Sequence, residues 1–402
     1  MAEQLSGAMH PPGADTVLVR HGDLNTKSTS VKRYMEGLLV EHLESLVADR
    51  SVPGTVVREW NRPRIETTEA TIEAAVDAAT DAFGVVSASP CLTVEPELSV
   101  ITDTLANIAP AVYDGGSFAV DARRADKNLP FTSQTVAEAG GTAIWEAVES
   151  SFEPTVDLDD PDLTFGVEVR SETAYIYTDS VAGPGGLPLG SQAPMVALVS
   201  GGIDSPVAAY ELMRRGSPVI PVYVDLGEYG GLDHEARAVE TVRTLASFAP
   251  DHDLSVYRVP GGETVSHLAE TMEQGRMLSL RRFFYRIAET IAADTGAQGI
   301  VTGEALGQKS SQTAQNLAVT SRATDLPIHR PLLTMDKQEI VERAREIGTY
   351  HDSTIPAGCN RIAPDRVETN GRIDPLLAVE PTDMFERADA AAADATLVSL
   401  RE

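Results

Sequence analysis

The stretch at residues 196–216, VALVSGGIDSPVAAYELMRRG, restricts the fold more than any other part of the chain. A short apolar run ends in the loop SGGIDS and passes at once into a helical pattern. The same alternation then repeats. MVALVS, VIPVYVD, LSVYRV and QGIVTG read as strands. Helices are expected over 206–215, over 235–247, and from 265 onward through RRFFYRIAETIAADTG. Strands that alternate with helices form a parallel sheet covered on both faces.

In an open α/β sheet, ligands bind outside the carboxyl ends of the strands, and Ser200 to Ser205 sit at such an end. Gly201 and Gly202 allow a sharp turn and bring main-chain N–H groups close to a ligand. Pro206 suits the first helical position, and the helix N-terminus then faces the loop with free donors and partial positive charge. Loop and helix together make an anion cradle. The Walker pattern G-x-x-x-x-G-K-[ST] and the dinucleotide pattern G-x-G-x-x-G are both absent. A bare SGG would be an ordinary Gly-rich turn, but the full SGGIDS at the end of an apolar strand points to a phosphate.

Upstream, TVLVR at 16–20 reads as a strand, VKRYMEGLLVEHLESLV at 31–47 as a helix, and TVVREW at 55–60 as a strand. RIETTEATIEAAVDAATDAFG, at 64–84, looks helical, with Gly84 as its stop. Between 116 and 179, strand-like SFAVDARR, TFGVEVR and TAYIYTD accompany the helical SQTVAEAGGTAIWEAVESS. Both regions are α+β in character. VAGPGGLPLGSQAP at 181–194 is dense in Gly and Pro and marks a linker or a domain junction. The Ala- and Asp-rich tail from Met384 reads as a final helix with frayed ends.

A chain of 402 residues exceeds what one hydrophobic core usually serves, so two or three domains are expected. No apolar run reaches the roughly eighteen residues of a membrane span, and the N-terminus lacks a signal-peptide pattern. A cytoplasmic location is expected. The two cysteines, Cys91 and Cys359, lie far apart, which excludes a disulfide framework and a four-Cys zinc or iron–sulfur site made by this chain alone. No metal-ligating cluster is read elsewhere, and Cys91 is taken as structural.

Net charge is −28, and the 32 basic residues divide into 5 Lys and 27 Arg. Such acidity ordinarily argues against a polyanionic partner. Because it is spread along the chain and combined with scarce Lys, it points instead to a salt-rich cytoplasm, where acidic side chains keep a protein soluble.

SGGIDS resembles the PP-loop of the ATP pyrophosphatases, which grip the pyrophosphate end of ATP and transfer AMP to a substrate oxygen. In that family Asp204 and Ser205 would belong to the loop that holds pyrophosphate and its Mg²⁺. Taken in order, VRHGDLNTKS, FAVDARRADKNLPFTS, GPGGLP, SGGIDSPVA, TGEALGQ with SSQT, and IPAGC resemble the tRNA 4-thiouridine synthetase family, of the archaeal type that lacks a rhodanese domain. The resemblance covers nearly the whole chain. It implies a ferredoxin-like domain over 1–70, an RNA-binding THUMP domain over 71–182 and a PP-loop ATP pyrophosphatase domain over 183–402.

Carried over by position, the ATP contacts fall on Leu198, Val199, Ser200, Gly201, Gly202, Asp204, Ser205, Tyr223, Val224, Arg281, Gly303 and Gln312. The catalytic roles fall on Asp204 and Cys359. ATP and Mg²⁺ are the implied cofactors and tRNA the implied partner. With no rhodanese domain before the end at Glu402, sulfur is expected from a separate donor or directly at Cys359, and a role in thiazole formation is disfavoured. A homodimer stays open.

The implied chemistry has two steps. The C4 oxygen of a uridine attacks the α-phosphate of ATP and releases pyrophosphate, and sulfur held at or delivered through Cys359 then displaces AMP. Lys309 is read either as a helper of the leaving pyrophosphate or as a solvated lysine. Basic residues cluster at Arg123, Arg124 and Lys127, at Arg214 and Arg215, and at Arg281, Arg282 and Arg286. The first cluster, in the presumed RNA domain, is assigned to tRNA phosphate. Each of the others could equally serve ordinary ion pairs. Two rivals stand beside this reading. A different PP-loop enzyme, 2-thiolating or amide-forming, is disfavoured by TGEALGQ and the upstream domains. A non-catalytic THUMP tRNA-binding protein is disfavoured by the intact loop and Cys359.

Overall fold

The computed structural model describes residues 10–22, 28–58, 62–230, 233–353, 362 and 368–400. The chain divides into two compact units between Pro188 and Leu189.

The first unit contains β1 (Thr16–His21), α1 (Thr29–Asp49), β2 (Thr55–Val57), β3 (Arg64–Glu66), α2 (Ile72–Asp81), β4 (Val85–Val94) and α3 (Leu98–Val112). β5 (Ser117–Arg124), α4 (Ser133–Val148), β6 (Thr155–Val156), β7 (Leu163–Val169), β8 (Ala174–Tyr177) and β9 (Val181–Ala182) complete it. Its strands form one sheet in the order β2-β3-β1-β4-β8-β7-β5-β6, with β9 also on β4. Two hydrophobic cores lie along this sheet. One joins Val17, Val19, Ile65 and Ala88 to Leu39, Leu43, Ala75 and Ala79 of α1 and α2. The other joins Phe118, Phe165, Val167 and Ile176 to Ile101, Leu105 and Ile144 of α3 and α4.

β4 connects them, because it pairs with β1 on one edge and with β8 and β9 on the other. Pro90, which cannot donate to a ladder, falls between the β9 pairs at Ser87 and Ala88 and the β8 pairs that begin at Cys91. Cys91 itself is fully buried, and burial raises its thiol well above the ordinary range, as befits a structural residue.

The helix expected over 64–84 is shorter than its pattern. Arg64–Glu66 is a strand, with fully buried Ile65 paired to Val17 on one side and Val56 on the other. Thr67 donates to Pro53 O at 2.6 Å across the chain, and Thr71 donates to Thr68 O at 3.2 Å, a local bond that favours a turn before α2 begins. β4 and α3 were not anticipated from the sequence. The strand expected over 55–60 is formed through Val57, and Trp60 lies outside the described residues.

The second unit contains β10 (Met195–Val199), α5 (Asp204–Arg214), β11 (Val219–Asp225), α6 (Asp233–Ala246), β12 (Val256–Pro260), α7 (Gly262–Thr271) and α8 (Arg276–Thr295). There follow β13 (Ile300–Val301), α9 (Ala314–Thr320), β14 (Ile328–His329), α10 (Lys337–Glu346), α11 (Tyr350–Ser353), α12 (Ile373–Leu377), α13 (Met384–Ala393) and β15 (Thr396–Val398). The sheet runs β14-β13-β10-β11-β12-β15. All pairs are parallel except β12 with β15. β10 is therefore flanked by β11, the next strand in the chain, and by β13, reached much later. That is the topological switch point at which α/β sheets open a crevice.

Two expectations change here. The helix expected from 265 onward is two helices, broken at Gly275, whose φ of 71° is left-handed. α5 begins at Asp204, so Pro206 is the third helical residue rather than the first. None of the first four N–H groups of a helix has an internal partner, so proline costs no hydrogen bond there either. The tail forms helix α13, as read, and then adds β15, whose Val398, Leu397 and Thr396 pair with Val256, Tyr257 and Arg258.

Candidate nucleotide-binding site

The loop after β10 is tied by its own side chains. Ser205 Oγ accepts from Ser200 N–H at 2.9 Å and also lies 3.2 Å from both Ser200 O and Ser200 Oγ. Gly202 N–H points to Ser200 Oγ at 3.4 Å. Ile203 precedes α5 without a side-chain cap, so the first-turn N–H groups remain for another acceptor. Gly201 lies against the start of α6, where a Cβ would stand 3.2 Å from Arg237 Cβ and 3.3 Å from His234 O. Gly303 is packed more tightly still, since a Cβ there would fall 2.6 to 2.7 Å from backbone atoms of Asp204 and Ser205.

A cavity of about 260 Å³ opens at this point. It lies over the carboxyl ends of the central strands, lined by Leu198, Val199 and Ser200 after β10 and by Tyr223 and Val224 of β11. Asp204 and Ser205 of α5, Arg281 of α8, Gly303 and Gln312 complete the set expected from the sequence. Gly201 and Gly202 shape the loop without lining the cavity. One wall is apolar, made by Leu226, Met277, Leu280 and Phe284, which no sequence pattern sets apart because Leu226 and Leu280 belong to the buried core and Met277 and Phe284 pack against it. Lys309 also lines the cavity.

Beneath Arg281 lies a buried charged network. Glu304, fully buried, accepts from Arg281 Nη1, from the Tyr285 hydroxyl at 2.6 Å and from Arg330 Nε at 2.7 Å. Arg281 Nη2 donates to Ser311 Oγ at 3.2 Å. With its amide oriented to donate to Ala305 O at 2.9 Å, Gln312 accepts from the same Nη2 at 3.2 Å. Arg330 Nη2 reaches Ser321 Oγ at 2.9 Å. Burial, followed by the neighbouring Glu304 carboxylate, raises the Tyr285 hydroxyl above the ordinary phenol range, so it stays a donor. For Arg330, burial works against the charge, but Tyr285 and Glu304 more than offset it and hold the guanidinium above its usual value.

Lys337, the first residue of α10, places Nζ 2.7 Å from Asp204 Oδ1. A PP-loop has no Walker lysine, and this one arrives from 133 residues away. Among the described residues no three His, Cys, Asp or Glu side chains gather as a metal site. The site does fit a hard cation that arrives with a nucleotide, because Mg²⁺ is commonly held by one or two carboxylates together with substrate phosphates, and Asp204 supplies one.

Elsewhere several arginines of the basic clusters have partners within the chain. Arg124 Nη1 donates to the carbonyls of Leu129 and Phe131 and so clasps the loop after β5. Arg123 pairs with Asp121 at 3.1 Å, and Lys127 is exposed. Arg214 pairs with Glu211 at 2.8 Å, Arg282 with Glu380 at 3.0 Å and Arg286 with Asp389 at 2.8 Å. Cys359 lies outside the described residues.

A parallel sheet whose switch-point strand ends in an anion cradle beside a half-apolar cavity defines a nucleotide-binding α/β protein of the PP-loop type. Residues 190–381 match the family model described as Thiamine biosynthesis protein (ThiI), residues 97–179 the THUMP domain, and residues 16–89 the ThiI ferredoxin-like domain. A protein named "Probable tRNA sulfurtransferase" from Halobacterium salinarum is 56% identical over 386 residues, 96% of this chain and 98% of the relative. One of the same name from Methanosarcina acetivorans is 40% identical, covering 91% of this chain and 89% of the relative. A solved structure titled "Crystal structure of a 4-thiouridine synthetase - RNA complex with bound ATP" superposes with a TM-score of 0.83 at 28% identity, covering 96% of this chain and 99% of that one. The chain belongs to the ThiI family of tRNA sulfurtransferases. No helix among the described residues is long and apolar enough to cross a membrane.

Proposed function

We propose that this chain is an ATP-dependent tRNA uracil 4-sulfurtransferase, cytoplasmic and supplied with sulfur by a separate donor. The carrying observation is the convergence of the SGGIDS cradle with its Asp204, Arg281 and Gly303 on one cavity, with Lys337 bonded to Asp204. The similarity to the 4-thiouridine synthetase solved with RNA and ATP supports it.

The C4 carbonyl of uridine is a poor electrophile, and its oxygen is a poor leaving group. Attack of that oxygen on the α-phosphate of ATP forms the O–P bond, breaks the bond to pyrophosphate, and leaves an adenylated base. The apolar wall of Leu226, Met277, Leu280 and Phe284 takes the adenine end, and the N–H groups at the start of α5 take the pyrophosphate. Asp204 holds Mg²⁺, which neutralises charge on the phosphates when bound. Lys337, freed from Asp204, and Lys309 add positive charge where pyrophosphate departs. Hydrosulfide delivered through Cys359 then forms the C4–S bond, the C4–O bond breaks, and AMP leaves with the original oxygen. Arg123, Arg124 and Lys127 contribute to holding tRNA.

The test is thiolation of a tRNA transcript with ATP and sulfide, read by nucleoside mass spectrometry. Asp204→Ala should lower 4-thiouridine formation on the order of 10²-fold or more. Cys359→Ser should keep pyrophosphate release while losing the thio product. Wild-type-like thiolation by Asp204→Ala would sink the mechanism, and a 2-thio product would favour the rival enzyme class.

A further inference from the structure

Glu304 does more than line a nucleotide site. A carboxylate with 0% exposure is costly unless it is paired and hydrogen-bonded, and Glu304 divides its two oxygens among three donors from two other segments. Resting on the reading of the cavity as an ATP site, we propose that Glu304 is a positioning residue for the adenylation step: it acts through Arg281, whose guanidinium it pins at the cavity wall.

The geometry assigns each neighbour a part. Arg281 reaches the cavity from α8 on a long side chain with many rotamers. One terminal nitrogen is fixed by Glu304, the other by Ser311 and Gln312, and the buried Nε has no partner among the described residues. Held at both ends, the guanidinium is oriented before substrate arrives, and its reorganisation does not have to occur during the reaction.

Arg330 answers a difficulty in this arrangement. A lone Glu304 would cancel the charge of Arg281 and weaken its pull on a phosphate. Two guanidiniums against one carboxylate leave the cluster with a net positive charge, so Arg281 can be anchored without being neutralised. Tyr285 occupies Oε2 alongside Arg330 and leaves Oε1 to Arg281.

The experiment is a double-mutant cycle on pyrophosphate release from ATP in the presence of a tRNA transcript, comparing wild type, Glu304→Gln, Arg281→Met and the pair. Glutamine keeps an oxygen for Tyr285 and Arg330 but turns a donor toward Arg281. Glu304→Gln alone should lower kcat on the order of 10²-fold with KM for ATP within about threefold, and should lower it little further when Arg281 is already methionine. Equal losses in both backgrounds would mean a structural role and overturn the proposal, as would a raised KM at unchanged kcat. If a buried glutamine lowers the melting temperature below the assay, Glu304→Asp, which retains the charge and withdraws it from Arg281, runs the same cycle. A wild type that releases no pyrophosphate overturns the ATP reading together with this inference. An active wild type with an additive cycle overturns the inference alone.

Discussion

Glycines in and around the loop differ in what they tolerate, and the differences are measurable. At Gly303 a methyl group would stand 2.6 Å from the carbonyl carbon of Asp204 and 2.7 Å from Ser205 N, backbone atoms that cannot rotate away. The start of α5 would have to move, and with it the donors that face the cavity. Gly303→Ala should therefore cost about 1–3 kcal/mol of stability. It should also weaken ATP binding by about tenfold. At Gly202 the nearest atom to such a methyl is Ser200 Oγ at 3.5 Å, an ordinary contact. Gly202→Ala should melt like wild type. Thermal melts of both variants and nucleotide titrations of Gly303→Ala check the contrast, and ATP affinity unchanged in Gly303→Ala would separate the cradle from the strand end that supports it.

At the level of elements, what could be read locally was read and what depended on the fold was not. β10, its loop and α5 are contiguous, so apolar run, Gly pair and helix pattern appear together in one window. Glu304 meets Arg281 across 23 residues, Arg330 across 26, and Asp204 meets Lys337 across 133. No periodicity marks those partners, although Glu304 stood inside the recognised TGEALGQ. The unbroken helix expected from 265 failed for a similar reason, because the apolar spacing continues through the break. Gly275 takes φ +71°, and a Cβ there would meet Leu376 Cδ1 at 2.6 Å. Gly296, at the other end of α8, takes φ +75° with nothing within 4 Å. Alanine at either site should cost about 1–2 kcal/mol for the left-handed backbone. That corresponds to roughly 2–8 °C in melting temperature. Gly275→Ala should lose more, by the displacement of Leu376, and an equal or smaller loss would show that the break is set elsewhere.

Over the whole molecule the difficulty is a chain of net charge −28 in a family that acts on tRNA. The structure adds to it, because Arg281, Arg282, Arg286, Arg330 and Arg343 all face carboxylates of the chain itself. Much of the basic complement is thus already committed, and Arg124 serves a loop as well. Few phosphates can be neutralised, so few counterions are released on binding. At about 1 M salt the Debye length falls to about 3 Å, which also screens the repulsion between acidic surface and RNA. The two effects oppose one another. Log affinity for tRNA should fall with log KCl with a slope shallower than about −2, whereas six contacts to single-stranded phosphate would give about −4. Lys127→Ala should reduce the magnitude of that slope by about 1 and weaken binding alike for different tRNA sequences. Filter binding between low and molar KCl measures both quantities. A slope of −4 or steeper would mean that a larger basic surface than Arg123, Arg124 and Lys127 holds the RNA, and that the chain's acidity does not govern how it meets its substrate.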